Sequence, residues 1–440
     1  MTLTERLLAL WDHLGIERAH VATAMTGDVA GLAAAAPDRI AGLTLCVPSR
    51  LDPTPFTAMS ARVLMVAGAS GMATDVTARA EARLPGSKRV VLPGYDAPGW
   101  ADVVSDRTTE IAGAMTAFLR GFPASIPVSR QGSFQGITYR MSGAGPALVL
   151  MPFFLAPSQW ETAIPTLSER FTVIVLGGRH LGGVAALEDR ALAPSYRGMV
   201  RTLLDTMAPA PGDTILDVGC GSGALDRMLA ERYGATNPIT ATDLNPFLLK
   251  EAAVLATEEG CAATIAFRHA NAEALPFPDA SFDCAFTVTV LEECDADGAL
   301  RELHRVVRPG GRVGVIVRAV DMPQWWNLNL PEKLRQDVEI PPQSVGAKGV
   351  ADASLYPRMR AAGFGKVTCF PSLVTLFRPE GPIWRYREDH VLAGLSPEDT
   401  ATWRAVTHAA RTEGLLFMAH PMHCAVGVKG AAADLTVTPS

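Results

Sequence analysis

Short apolar runs recur along the first 185 residues, with stretches of helical spacing between them. Residues 19–24 (AHVATA), 40–47 (IAGLTLCV), 62–68 (RVLMVAG) and 89–94 (RVVLPG) have the continuous apolar character of covered strands. Helical patterns fall around 28–36 and 74–83 and again at 106–120, and the first fifteen residues form an amphipathic helix pattern. A Pro/Ser/Gly/Gln-rich passage at 123–136 reads as a connector. Three further strands are predicted at 137–142, 147–152 and 171–177. This alternation predicts a mostly parallel sheet covered by helices. Residues 186–200 read as a linker followed by a leading helix. From Thr214 strands and helices alternate again, out to a last strand near 424–429. The expected organisation is therefore α/β twice over: one domain at 1–185, a second at 186–430, and a small, polar, flexible tail at 431–440.

Composition narrows the function classes. With 48% apolar and 19% charged residues, the chain is an ordinary globular one. A net charge of −6 with no basic run argues against nucleic acid as a partner. No run of 18 apolar residues exists, so no membrane insertion is expected. The N-terminus lacks a signal-peptide pattern, and the seven cysteines include no C-x-x-C pair. Reduced thiols and a cytoplasmic location follow as expectations, with no metal site and with homo-oligomerisation left open.

The strongest chemical signal is TILDVGCGSGALDRMLAERYGA at 214–235. A buried strand ends at the loop Gly219-Cys220-Gly221-Ser222-Gly223, and a helix starts directly after it. Glycines suit a place where backbone turns tightly and approaches a ligand with no Cβ between. Twenty residues on, Asp243 ends the next predicted strand, where a carboxylate can accept from ribose hydroxyls. Asp217 precedes the glycines. A carboxylate there suits an ammonium or sulfonium ligand, whereas a pyrophosphate would be repelled.

With the blocks ANAEALPFPDASFD (270–283) and LRELHRVVRPGGRVGVI (300–316), residues 196–429 resemble class I S-adenosylmethionine (SAM)-dependent methyltransferases of the type 11, ubiquinone/menaquinone-biosynthesis group. The resemblance implies a Rossmann-like seven-stranded sheet, SAM as cofactor and a small-molecule methyl acceptor. It also implies roles for particular residues. Asp217, Gly219, Cys220, Gly221 and Gly223 would line the methionine end of SAM, and Tyr196 would cover it. Asp243 would bind the ribose, with Leu244 and Asn245 beside the adenine. Asn271, Ala272 and Glu273 would meet the adenine edge, Asn271 replacing the family's usual Asp. Thr287 would end the fourth strand next to the sulfonium.

Catalysis needs a base only where the accepting atom is protonated. Candidates are Glu292, Glu293 and Asp295 after the fourth strand, with a solvated acidic loop as the alternative. His420 and His423 in AHPMHC read either as contacts to the acceptor, His423 as a base, or as turn residues before the last strand. His304 reads as a packing residue. Trp325 and Trp326, with Trp384 and Tyr386 in a second insertion, suit a lid over an apolar or aromatic acceptor. Packing of an inserted helix is the alternative. A SAM-binding regulatory or scaffold protein is the rival function from another class.

Residues 7–122 resemble the second half of an α/β-hydrolase and 133–185 its first strands, in permuted order. The chemistry is missing from that resemblance. Met25 stands at the nucleophile position, Gly71 at the acid, Asp96 at the histidine, and Pro152-Phe153 at the oxyanion loop. A thioether and an aspartate cannot replace a hydroxyl and its imidazole base, so this half is expected to be a silent scaffold.

Overall fold

The computed structural model describes residues 2–96, 103–127, 131–377, 379 and 381–430. The expected tail at 431–440 lies outside them. The chain divides into two units, Met1–Ala185 and Ala186–Ser440.

In the N-terminal unit the strands are β1 Ala19–Thr23, β2 Ile40–Cys46, β3 Val63–Ser70, β4 Lys88–Asp96, β5 Gln131–Phe134, β6 Ile137–Ser142, β7 Ala147–Leu150 and β8 Thr172–Gly177. They form one sheet in the order β4-β3-β2-β1-β7-β8-β6-β5. Every residue of β1, β2 and β8 is buried, as strands covered on both faces require. One face packs on Leu10, Trp11 and Leu32, the other on Ile111, Met115 and Trp160. Strand β5 corrects the connector reading of 123–136. It pairs antiparallel with β6 through a tight turn at Gln135-Gly136, both at positive φ (51° and 78°). Its Gln, Gly and Ser hid it, because an edge strand needs no apolar run.

Met25 has φ −89° and ψ 91°, so the strained turn of a nucleophile elbow is not formed there. Its N–H donates to Thr23 Oγ1 at 2.9 Å. Gly71 caps the Met72–Glu81 helix, Asp96 ends β4, and Phe153 is buried edge-on against Trp160.

In the C-terminal unit the strands are β9 Ile215–Val218, β10 Ile239–Asp243, β11 Ile265–His269, β12 Phe282–Val288, β13 Val307–Arg318, β14 Trp325–Trp326, β15 Phe364–Leu376 and β16 Met418–Lys429. The order is β11-β10-β9-β12-β13-β16, with β15 and the two-residue β14 both pairing on β16. Seven long strands thus make a Rossmann-like mixed sheet, parallel from β11 to β13 and antiparallel at β16. The Ala296–Val306 helix docks on it through Ala296, Ala299, Leu300, Leu303 and Val306, a stripe at helical spacing.

Two boundaries differ from expectation. Residues 186–192 are helix rather than linker: one helix runs Gly182–Leu192 and the next Pro194–Met207, with Ala193 alone between them. Pro194, at a first-turn position that needs no N–H, restarts the helix. The last strand begins at Met418, so His420 and His423 lie inside it and not in a preceding turn. Partners on both sides, β13 and β15, hold β16 extended through Pro421.

Candidate active site

Where β9 ends, the chain turns through Gly219, Gly221 and Gly223 at φ 86°, 56° and 71°. The N–H groups of Gly219 and Cys220 both donate to Thr242 O, at 2.7 and 2.8 Å. That of Gly221 donates to Asp243 Oδ2 at 2.8 Å, and Asn245 N donates to Oδ1 at 2.8 Å. Asp243 is thereby oriented, while each oxygen keeps a lone pair for a hydroxyl. A Cβ at Gly219 would stand 2.1 Å from Val290 Cγ2, so only glycine fits. Leu244, 61% exposed, offers an apolar surface beside Asp243.

The other cofactor candidates are differently occupied. Asn245 Oδ1 caps the Pro246–Glu258 helix. Asn271 Oδ1 accepts from Glu273 N at 2.9 Å, which directs its amide donors elsewhere. Glu273 Oε1 accepts from Asp295 N at 2.9 Å, and Ala272 is buried. Thr287 donates to Val218 O at 2.8 Å, so its hydroxyl hydrogen is committed to the neighbouring strand. Cys220 is buried against the loop, and burial pushes its thiol well up.

Behind the loop lie two buried carboxyls, Asp217 and Asp226. Neither oxygen of Asp226 has a hydrogen-bond partner among the described residues. Burial raises both pKa values, Asp226 to about 7, and the Asp226 charge further disfavours ionisation of Asp217. The nearest cation, Arg227, is committed to Glu188 at 2.6 Å and Glu259 at 3.1 Å. Glu188 also accepts from Ser222 Oγ at 2.6 Å, and Leu187 packs over Gly221. A glycine cradle, donor-poor buried carboxyls and a ribose-ready Asp243 are the features a cationic nucleoside such as SAM needs.

On the same face of β9 and β12 as Ile215 and Phe286, Tyr196 is 1% exposed and its hydroxyl has no partner among the described residues. The Arg190 guanidinium lies 5.2 Å over its ring and donates to Thr289 Oγ1 at 3.0 Å. Thr289 sits at φ 58°, a strained conformation for a β-branched residue, held by its N–H to Ile316 O at 2.8 Å. Glu292 is buried. Its Oε1 accepts from Arg318 N at 2.8 Å, its Oε2 has no donor, and burial raises its pKa.

Glu293, the next residue, is exposed. The two histidines part as well. Side chains alternate along β16, so His420 and His423 occupy opposite faces. His423 pairs with Asp321 at 2.8 Å. Burial would raise the Asp321 carboxyl, but the hydrogen bonds it accepts from His423 and Ala353 N together outweigh burial and hold it low. His420 is 4% exposed with neither ring nitrogen partnered. Burial, and then Arg387, Arg190 and Arg318, keep it neutral.

The tryptophans do not form one lid. Trp326 is buried, edge-on to Trp384 and Trp403 at 5.3 and 4.9 Å, and donates to Val338 O at 3.1 Å. Trp325 is half exposed beside Phe417. Sequence reasoning missed Asp226, Arg190, Arg318, Gln324 and Arg387. The one signal that pointed towards any of them was an acidic residue, Asp226, on the apolar side of the helix after the glycine loop.

Among the described residues no group of three His, Cys, Asp or Glu side chains is placed to hold a metal ion, and no helix is long and apolar enough to cross a membrane.

Residues 216–315 match the family described as a methyltransferase domain, which is SAM-dependent. The ubiquinone/menaquinone biosynthesis C-methyltransferase UbiE of Hahella chejuensis is 38% identical over 122 residues, 28% of this chain and 49% of that protein. The UbiE of Escherichia coli is 35% identical over 122 residues, with the same coverage. The chain thus spans about half the length of the curated relatives it matches. Among solved structures, the YcgJ protein of Bacillus subtilis is 18% identical, with a TM-score of 0.38, over 54% of this chain and 100% of that one.

Proposed function

We propose that the C-terminal unit binds SAM over the Gly219–Gly223 loop and transfers its methyl group to a small-molecule acceptor. The observation that carries this is the pairing of a positive-φ glycine cradle with two buried carboxyls, Asp217 and Asp226, the second of which meets no donor among the described residues. SAM supplies an electrophilic methyl group whose S–CH3 bonding pair stays on sulfur, leaving S-adenosylhomocysteine. Asp243 holds the ribose hydroxyls, and Asp217 with Asp226 face the positive end of the ligand. Tyr196 and Leu187 keep water from the reacting centre. The Oε2 of Glu292 takes the proton from an acceptor that is protonated at its reacting atom.

Calorimetric titration with SAM, followed by detection of S-adenosylhomocysteine after incubation with small-molecule extract, tests the reading. Saturable binding with release of that product supports it. Binding without any turnover would assign the chain to SAM sensing instead, and no binding would remove the proposal. Within the site, Asp243→Ala weakens SAM binding by about 1–3 kcal/mol, since buried hydroxyls lose their acceptor and the glycine loop its anchor. An unchanged dissociation constant would rule out that role.

For the N-terminal unit we propose a hydrolase-like scaffold without hydrolase chemistry, supported by Met25 in an ordinary extended conformation where a strained nucleophile would stand. The expected result is no p-nitrophenyl acetate cleavage above buffer background. Cleavage abolished by Met25→Ala would contradict it.

A further inference from the structure

We propose that the methyl acceptor carries an oxyanion, a carboxylate or a phosphate, held by Arg387 and His420. The inference rests on the methyltransferase reading and specifies its substrate class. Arg387 lies on the Pro382–Gly394 helix and is 6% exposed. Its guanidinium has one hydrogen-bond partner, the neutral Gln324 Oε1 at 3.1 Å, and no carboxylate among the described residues pairs with it. An unpaired buried guanidinium is so unfavourable that its pKa is pulled down to about 10. Buried charges in folded proteins are paired or meet a ligand.

Around it the unsatisfied groups are mostly donors. His420 has both ring nitrogens unpartnered, and one of them carries a hydrogen in the neutral ring. Trp384 Nε1, one helical turn before Arg387, also lacks an acceptor. Arg190 and Arg318 add positive charge, and the carboxylates nearby are Glu292, close to Arg318, and Asp189, at the neighbouring cleft. Three guanidinium groups, Arg387, Arg190 and Arg318, against Glu292 and Asp189 leave an excess of positive charge on a face with orphan N–H groups. Water would satisfy the hydrogens but bring no charge. An oxyanion does both, because its lone pairs match the Arg387 fork and the imidazole N–H. Beside the cluster a cleft of about 70 Å³, apolar along Leu192, Leu376, Phe377 and Trp384 and polar at Asp189 and Thr375, gives the surface for the rest of such a molecule.

The test uses the full chain saturated with S-adenosylhomocysteine, titrated with benzoate, phenyl phosphate and the neutral benzyl alcohol. Heat and tryptophan fluorescence are both followed. At least one oxyanion is expected to bind more tightly than benzyl alcohol, and which one does so distinguishes carboxylate from phosphate. Arg387→Met and His420→Met each weaken that binding by at least about tenfold, the loss of a charge-assisted or buried hydrogen bond. His420→Met removes only unpartnered nitrogens, so its thermal midpoint stays at or above the parent value and the variant remains a folded control. Oxyanions that bind no better than benzyl alcohol, or equally well to both variants, overturn the inference. SAM titrated in parallel separates the two claims: uptake of SAM without any oxyanion defeats this proposal alone, and failure to take up SAM defeats the proposed function beneath it.

Discussion

Glu292→Gln is expected to lower kcat by roughly 10²–10⁴-fold, the usual contribution of a positioned base, and to leave SAM affinity unchanged. The substitution is nearly isosteric. A glutamine oxygen can still accept from Arg318 N, so the loop keeps its anchor while proton acceptance is lost. Only the ionised carboxyl can take a proton. Burial raises its pKa, so kcat should climb with pH through a value above the ordinary glutamate range. In the glutamine variant that limb should vanish. A variant with full kcat, or the same acid limb as the parent, would reassign the base, as would an acceptor that is not protonated at its reacting atom.

The second large effect concerns stability. Asp217 and Asp226 are both harder to ionise in the folded chain than in an unfolded one. For Asp226 the values are 3.8 when free and about 7 when folded. The folded state therefore binds more protons than the unfolded state across that window. The stabilisation is complete below 3.8, declines as pH rises, and is lost above about 7. Between those two limits stability changes by on the order of a few kcal/mol, since each tenfold change in proton affinity is worth about 1.4 kcal/mol. The Asp243 charge adds to the cost of burial, and Arg227 relieves it only in part because Glu188 and Glu259 hold its charge. Asp226→Asn removes the burden, so its thermal midpoint should exceed the parent's at pH 8 and converge with it at pH 4. A variant with no gain at pH 8 would show that burying the Asp226 carboxyl carries no such cost.

The cofactor loop was legible because its requirements are local. Strand, glycines, helix and the acid one strand away all occur within thirty residues, and each position follows from backbone geometry. The acceptor side was not legible, because its geometry is set by remote contacts. Glu292 and Glu293 are indistinguishable as neighbours in sequence. What turns Glu292 inward is a backbone anchor fifty residues on, Gly346 N to Glu292 O at 2.7 Å, with Val350 N to Leu291 O at 2.9 Å. Arg387, in the string WRYRED, reads as the solvated face of a helix and is buried because Gln324 meets it. Trp325 and Trp326 looked like one lid, yet alternation along a two-residue strand sends one ring outward and one into the core. The β5–β6 hairpin was lost for the opposite reason, since its turn is carried by Gln135, a residue that rarely advertises positive φ.

The unbroken pleat of β16 makes that strand a partition wall. Positions 418, 420, 422 and 424 address the compartment of Tyr196 and Arg387, and 419, 421, 423 and 425 address the one containing Asp321. Changes of acceptor preference and changes on the Asp321 side can therefore accumulate on the same dozen residues without interfering, provided that nothing inserts a single residue and exchanges the two sides.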